Sequence, residues 1–275
     1  MKTPITIAWL AYKTDSKLFW ESFKCAKRTL LSDDRFAPTF IMLDDAWNPV
    51  DLDIRQKFLS DEDVCTQRLV TSYPRTGMLI GGENLEGQIR AFCLAEEATP
   101  YAANKIFVKM DCDAMLFKTE WLHKFAMDDR AVVAGAFDFG SRNHTSVYGY
   151  CYALKASMLR PLMADIETYP AHHHAWEDHE VSSRIFRIRQ ADMDYAHRYV
   201  PGAESGFVCC PLNAVNETFI RGNVVTFAWD YQISQDKTTF RRQVGEWMCK
   251  LNELADKQSA GLKEQTPKGE TSTKT

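Results

Sequence analysis

The chain reads as one α/β unit built on a mainly parallel, Rossmann-like sheet with helices on its faces. Two observations predict it: apolar runs of strand length alternate with one-sided helical stripes, and several of those runs end abruptly in acids. A third is that no linker or internal repeat divides the chain, so residues 1–256 are expected to form one globular domain. Residues 257–275 carry almost no large apolar side chain and are expected to form a flexible polar tail.

Taken in order, residues 5–12 are apolar and of strand length, and Phe19, Phe23, Ala26 and Leu30 then recur at helical spacing behind Ser16, a candidate cap. Residues 37–46 form a second buried strand ending in acids, followed by a loop over "NPVDLD", and residues 65–73 a third strand. Leu85, Ile89 and Phe92 mark a helix that Pro100 stops, and residues 106–110, "IFVKM", are the next strand. A helix over "KTEWLHKFAM", a strand at 131–137, and a short strand running into a helix over "YGYCYALKASMLRPLMADI" continue the alternation. Glu177, Val181, Ile185 and Ile188 share one helical face, "DYAHRYV", "GFVCC" and "NVVTFAWDYQ" read as strands, and a helix from Thr239 to about Leu254 closes the ordered part.

Composition excludes several classes. Hydrophobic residues make up 45% and charged residues 25% of the chain, as in a soluble globular protein rather than a disordered one. No run approaches the ~18 apolar residues of a membrane-spanning helix, and no cleavage site follows the short N-terminal apolar run. The eight cysteines form no Cys-x-x-Cys and several sit in apolar segments, which points to reduced core thiols and a cytoplasmic location. A net charge of −4 does not describe a dedicated nucleic-acid binder, although Arg184, Arg187, Arg189, His197 and Arg198 make a mildly basic segment. That segment reads as a solvated face, with docking of an anionic acceptor as the minority reading.

Aspartates one residue apart occur four times, at 51/53, 61/63, 111/113 and 192/194. The pair Asp111 and Asp113 differs because a buried strand delivers it to the carboxyl edge of the sheet, where α/β folds bind ligands. Two carboxylates held there repel each other unless a cation stands beside them. A hard divalent ion, Mn²⁺ or Mg²⁺, meets that demand and leaves positions open for phosphate oxygens. Neither a P-loop nor a Gly-x-Gly-x-x-Gly fingerprint is present.

The order of elements, together with "GGENLEGQIRAFCLAEEA", "FVKMDCDAML", "VYGYCYALKASML" and "AWEDHE", resembles the GT-A class of nucleotide-sugar-dependent glycosyltransferases over most of residues 5–200. The resemblance implies a GT-A-like fold and transfer of a sugar from a nucleotide diphosphate donor, a UDP-sugar favoured, to a hydroxyl acceptor. It makes Asp111 and Asp113, around Cys112, the metal and diphosphate motif. Asn84 and Arg90 become donor contacts, and His197 a further metal ligand. It makes Tyr148, Gly149 and Tyr150, with nearby Tyr152, the acceptor wall, and Glu177 and Asp178 the segment carrying the acceptor-activating base. Asp178 is favoured because Glu177 falls on the apolar stripe. Tyr12, Thr14, Asp15 and Asp44, at the ends of the first two strands, stand where base and ribose would lie. Trp176 is positioned to stack on a sugar, and the dyad leans towards inversion by direct displacement.

The acceptor stays open among a glycan, a small molecule, a protein and a hydroxylated base in DNA. Two rivals remain: a nucleotidyltransferase, which lacks its glycine-rich loop here, and a non-catalytic protein that binds nucleotide sugars. The histidines at 172, 173, 174 and 179 form no His-Glu-x-x-His and read as a loop cluster rather than a zinc site.

Overall fold

The computed structural model describes residues 1–45, 48–61, 67–71, 105–137, 147–169, 177–189, 196–209, 217–227 and 236–264. Its strands are β1 (Thr3–Ala11), β2 (Phe36–Asp44), β3 (Gln67–Thr71), β4 (Ile106–Met110), β5 (Ala114–Leu116), β6 (Val133–Phe137), β7 (Val147–Lys155), β8 (Ala196–Tyr199), β9 (Phe207–Cys209) and β10 (Val224–Thr226). The α-helices are α1 (Ser16–Leu31), α2 (Leu52–Leu59), α3 (Glu120–Met127), α4 (Leu159–Thr168), α5 (Glu177–Ile188) and α6 (Lys237–Glu264).

Seven strands form the main sheet in the order β3-β2-β1-β4-β7-β6-β8. All neighbouring pairs are parallel except those made by β7, which runs antiparallel to both β4 and β6. A second sheet, β5-β10-β9, begins three residues after β4 ends. The chain therefore leaves one sheet for another across Asp111, Cys112 and Asp113.

The period of two along β1 divides the core. Ile5, Ile7, Trp9 and Ala11 face one layer, which α1, α2, α3 and α6 cover, and Ala8 faces the other, covered by α4 and α5. In the first layer Trp9, Phe19, Phe23, Phe40 and Phe58 meet edge to face or stacked at 5.0–6.2 Å between ring centroids. Helix α6 presents Phe240, Val244, Met248 and Leu251, spaced three or four residues apart, to this layer. Gly245 lets it approach α1 closely, since a Cβ there would lie 3.3 Å from the Lys17 side chain. Asn252 fixes the pair by donating to the Glu21 carbonyl and carboxylate at 2.9 and 2.8 Å.

Several expectations change. Helix α2 begins inside the expected loop, at Leu52 and Asp53, and runs to Leu59, and β5 was not expected. Ser16 does not cap α1; it is the first helical residue, and its Oγ donates to the Lys13 carbonyl while accepting from the Asp51 amide. Helix α6 runs on to Glu264, through the first eight residues of the expected tail. The expected helix after residue 84, with Asn84 and Arg90, lies outside the described residues, as do Trp176 and the histidines at 172–174. Among the described residues no helix is long and apolar enough to cross a membrane.

Ser22 on α1 ties the two sheets together: its Oγ accepts from Trp9 Nε1 at 2.8 Å and donates to the carbonyl of Ala114 in β5. Ser22→Ala leaves the fully buried Trp9 N–H unpaired and is expected to cost about 1–3 kcal/mol, read as a lower urea midpoint with an unchanged slope.

Candidate active site

The site forms where β1 and β4 end side by side. Parallel pairing sets Trp9 against Met110, so the chain beyond β1 and the chain beyond β4 emerge at the same edge. Strand β4 is buried at all five positions and stops at a tight turn, closed by the Ala114 amide donating to the Asp111 carbonyl at 3.1 Å. Cys112 points inward, 5% exposed, with its thiol on the Leu10 carbonyl. Of its neighbours, Asp111 keeps its side chain 38% exposed and Asp113 is half-buried. The cysteine anchors the turn and takes no part in its chemistry.

The carboxylates crowd one another. Burial first, then the charges of Asp111 and Asp15, push the Asp113 carboxyl up to about 7. Asp15 comes from the turn after β1 and pairs with Arg241 Nε of α6 at 3.2 Å. The Arg241 guanidinium also donates to the Tyr12 hydroxyl and lies 5.3 Å from that ring's centroid. Tyr12, Asp15, Asp111 and Asp113 thus converge, whereas Thr14 beside them is exposed. This crowding is the electrostatic setting that a divalent cation relieves, and the donor set, hard carboxylate oxygen, suits Mn²⁺ or Mg²⁺. Among the described residues no three His, Cys, Asp or Glu side chains form a metal-holding group by themselves.

Strand β7 joins the site from the other side. The Asp111 amide donates to the Tyr150 carbonyl at 2.9 Å, continuing the antiparallel ladder past the end of β4. Gly149 then uses both backbone groups: its N–H donates to Asp178 Oδ2 at 3.0 Å, and its carbonyl accepts from Lys109 Nζ. A Cβ at this position would lie 3.3 Å from Asp178 Oδ2, so glycine is what allows the first turn of α5 to sit against β7. Asp178 Oδ1 accepts from the His179 amide at 2.8 Å. Burial raises the Asp178 carboxyl above the ordinary carboxylate range, opposed by the charges of His179 and Lys109. Glu177 opens α5, and its side chain lies outside the described residues. Tyr148 and Tyr150 stack at 5.8 Å, but only Tyr148 keeps appreciable exposure; Tyr150 is 5% exposed and is a core residue more than a wall. Tyr152 is buried too.

Two expected site residues are placed elsewhere. His197 stands on β8, three strand spacings or about 14 Å from β4, and pairs with Asp128 at 2.9 Å, which holds that carboxyl at about 2. It cannot share an ion with Asp111. Asp44 has no exposed side-chain surface; one oxygen accepts from the Val50 amide at 2.7 Å and the other from Arg55, so it shapes the loop after β2 instead of facing a ligand. The basic segment after residue 181 is largely committed as well. Arg184 and Arg187 pair with Asp165, and Arg198 lies over the Phe137 ring.

Two residues of the cluster escaped the sequence reading. Lys109 offered a signal, since a lysine inside an apolar strand is rarely buried without a partner. Arg241 offered none, because it reaches the site from a helix 130 residues further along.

No family model matches the chain, and no curated protein matches its sequence. Solved structures do. One neighbour is a glycosyltransferase involved in glycosylation of the major capsid of PBCV-1, with TM-score 0.51 and 12% identity over 89% of this chain and 98% of that one. A second is the galactosyltransferase LgtC in complex with donor and acceptor sugar analogs, with TM-score 0.52 and 10% identity over 90% of this chain and 96% of that one. A third is the bifunctional glycosyltransferase WbbM, with TM-score 0.51 and 9% identity over 93% of this chain and 51% of that one. With these likenesses added to the strand order and the carboxylate turn, the chain has a GT-A-like glycosyltransferase fold.

Proposed function

We propose that the protein is a glycosyltransferase that moves a sugar from a nucleotide diphosphate-sugar to a hydroxyl acceptor, using a divalent ion held by Asp111 and Asp113. The observation that carries this reading is the junction at Gly149, which sets a candidate base, Asp178, beside the turn that carries Asp111 and Asp113. The fold neighbours support it as glycosyltransferases, one of them bound to donor and acceptor sugar analogs.

A Mn²⁺ or Mg²⁺ ion bound at the turn supplies neutralisation of the charge that develops on the departing diphosphate. Asp111 and Asp113 orient that ion, and Tyr12 with Arg241 borders the nucleotide side. Asp178, desolvated and poised closer to neutral pH than an exposed aspartate, takes the proton of the acceptor hydroxyl. Tyr148 offers the exposed aromatic face on that side. The donor is best sought among UDP-sugars, and the acceptor among neutral hydroxyl compounds. The committed arginines after residue 181 lend a DNA acceptor no support. We place the protein in the cytoplasm on its cysteines, since Cys25, Cys112 and Cys151 are free and buried.

The first experiment is thermal unfolding against a panel of nucleotide sugars and nucleoside triphosphates, with and without Mn²⁺. Metal-dependent stabilisation by one nucleotide sugar, absent in Asp113→Asn, is the expected result. A response to triphosphates alone would instead indicate nucleotidyl transfer. Asp178→Asn is expected to lower turnover by about 10²–10⁴ while donor binding stays within about twofold; a loss confined to donor affinity would remove Asp178 as base.

The pH dependence follows from Asp113. Its folded-state value of about 7 lies above the ordinary 3.8, so the folded protein holds this proton more tightly than the unfolded chain. Without metal, stability from this group is therefore greatest below about pH 4 and is lost as pH rises towards 7. Ion binding needs the deprotonated carboxylate and runs the opposite way. The midpoint increase given by Mn²⁺ is expected to be small at pH 5.5 and large at pH 8 in differential scanning calorimetry.

A further inference from the structure

Lys109 is the one charged residue of β4 and is 4% exposed. Its ammonium lies 2.6 Å from Asp111 Oδ1, donates to the Gly149 carbonyl, and stands 5.9 Å from the centroid of the Tyr152 ring. A buried ammonium is costly unless it meets a charge and a hydrogen-bond acceptor, and here it meets both. The aspartate it binds is the first residue of the carboxylate turn, and that carboxylate is itself 38% exposed on its other side. One cation is thus built into the protein beneath the place where a second would bind.

Resting on the reading of Asp111 and Asp113 as an ion site, we propose that Lys109 is a positioning residue that serves as the internal counter-ion of that site. It holds Asp111 against Gly149 in the bare protein and weakens the site's own grip on a divalent ion. The ammonium sits near the carboxyl end of β4, tied down on two sides, and acts through Asp111 rather than on a ligand. An arriving divalent ion sees a carboxylate whose charge is already partly balanced, so firm binding requires the further negative charge of a diphosphate. Ion and donor then depend on each other, because each supplies charge the other needs. The same ammonium fastens the β7 backbone that positions Asp178, so the donor and acceptor sides share one anchor.

The test is a calorimetric titration of Mn²⁺ alone, at pH 8, into the wild-type protein, Lys109→Met and Lys109→Arg. Removing the charge is expected to tighten Mn²⁺ binding about tenfold or more, and Lys109→Arg is expected to stay within about threefold of wild type. Circular dichroism establishes that each variant is folded; should Lys109→Met not fold, Lys109→Gln, which keeps a donor for Gly149 without the charge, carries the same expectation. Mn²⁺ binding by the neutral variant but not by wild type would support the proposal. Equal or weaker binding by a folded neutral variant would overturn it while leaving the ion site standing. If neither protein bound Mn²⁺, alone or with UDP, the ion site and the counter-ion would both fall.

Discussion

Repulsion among carboxylates is the constraint around which this end of the molecule is arranged. Asp111 and Asp113 flank a cysteine whose thiol is tied to the carbonyl of Leu10, which holds the turn against the end of β1. Asp15 adds a third charge from the neighbouring strand end. The fold answers with cations from two directions: Lys109 below, from the strand itself, and Arg241 from the side, on a helix that closes the chain. Each is held by architecture remote from the acids. Arg241 is where it is because α6 packs along α1, through Gly245 and the Asn252–Glu21 contact.

The second half of the site depends on a different set of buried charges. Helix α5, whose first turn carries Asp178, is fastened to α4 by Arg184, 3% exposed, which bonds Asp165 and Glu180 at 2.7 and 2.9 Å. Such a network contributes little net stability relative to apolar packing, but losing one member strands a charge in the interior. Its effect here is to fix the direction of α5. A base within hydrogen-bond reach of an acceptor needs that fixed direction more than it needs extra stability.

Much of this was legible in the sequence, and the exceptions share a cause. β1, β2 and β4 announced themselves as apolar runs of strand length and α1 as a stripe with a period of 3.6, and the Asp111/Asp113 turn stood out against the five buried residues before it. Strand β5 has three residues, too few for any period, and passed unread although its sheet receives the chain directly after the turn, whereas the equally short β9 and β10 were read inside their apolar runs. Helix α2 buries only Phe58 and so shows almost no stripe. Position along a strand brought Asp15 near Asp111 and Asp113 but misled at Asp44, because reaching the right edge of a sheet does not decide whether a side chain faces the cleft or the loop beside it. His197 failed for a related reason. Its place in the sheet order, three strands from β4, follows from chain crossings that no local pattern records.

Gly149 joins the two halves with peptide atoms alone, its N–H turned to one carboxylate and its carbonyl to the ammonium that balances another. That link needs the Asp178 and Lys109 side chains but no atom of the side chains at 148 and 150. A change of the Tyr148 side chain therefore removes neither bond. For the protein engineer the same division marks position 148 as open to libraries and position 149 as closed to them.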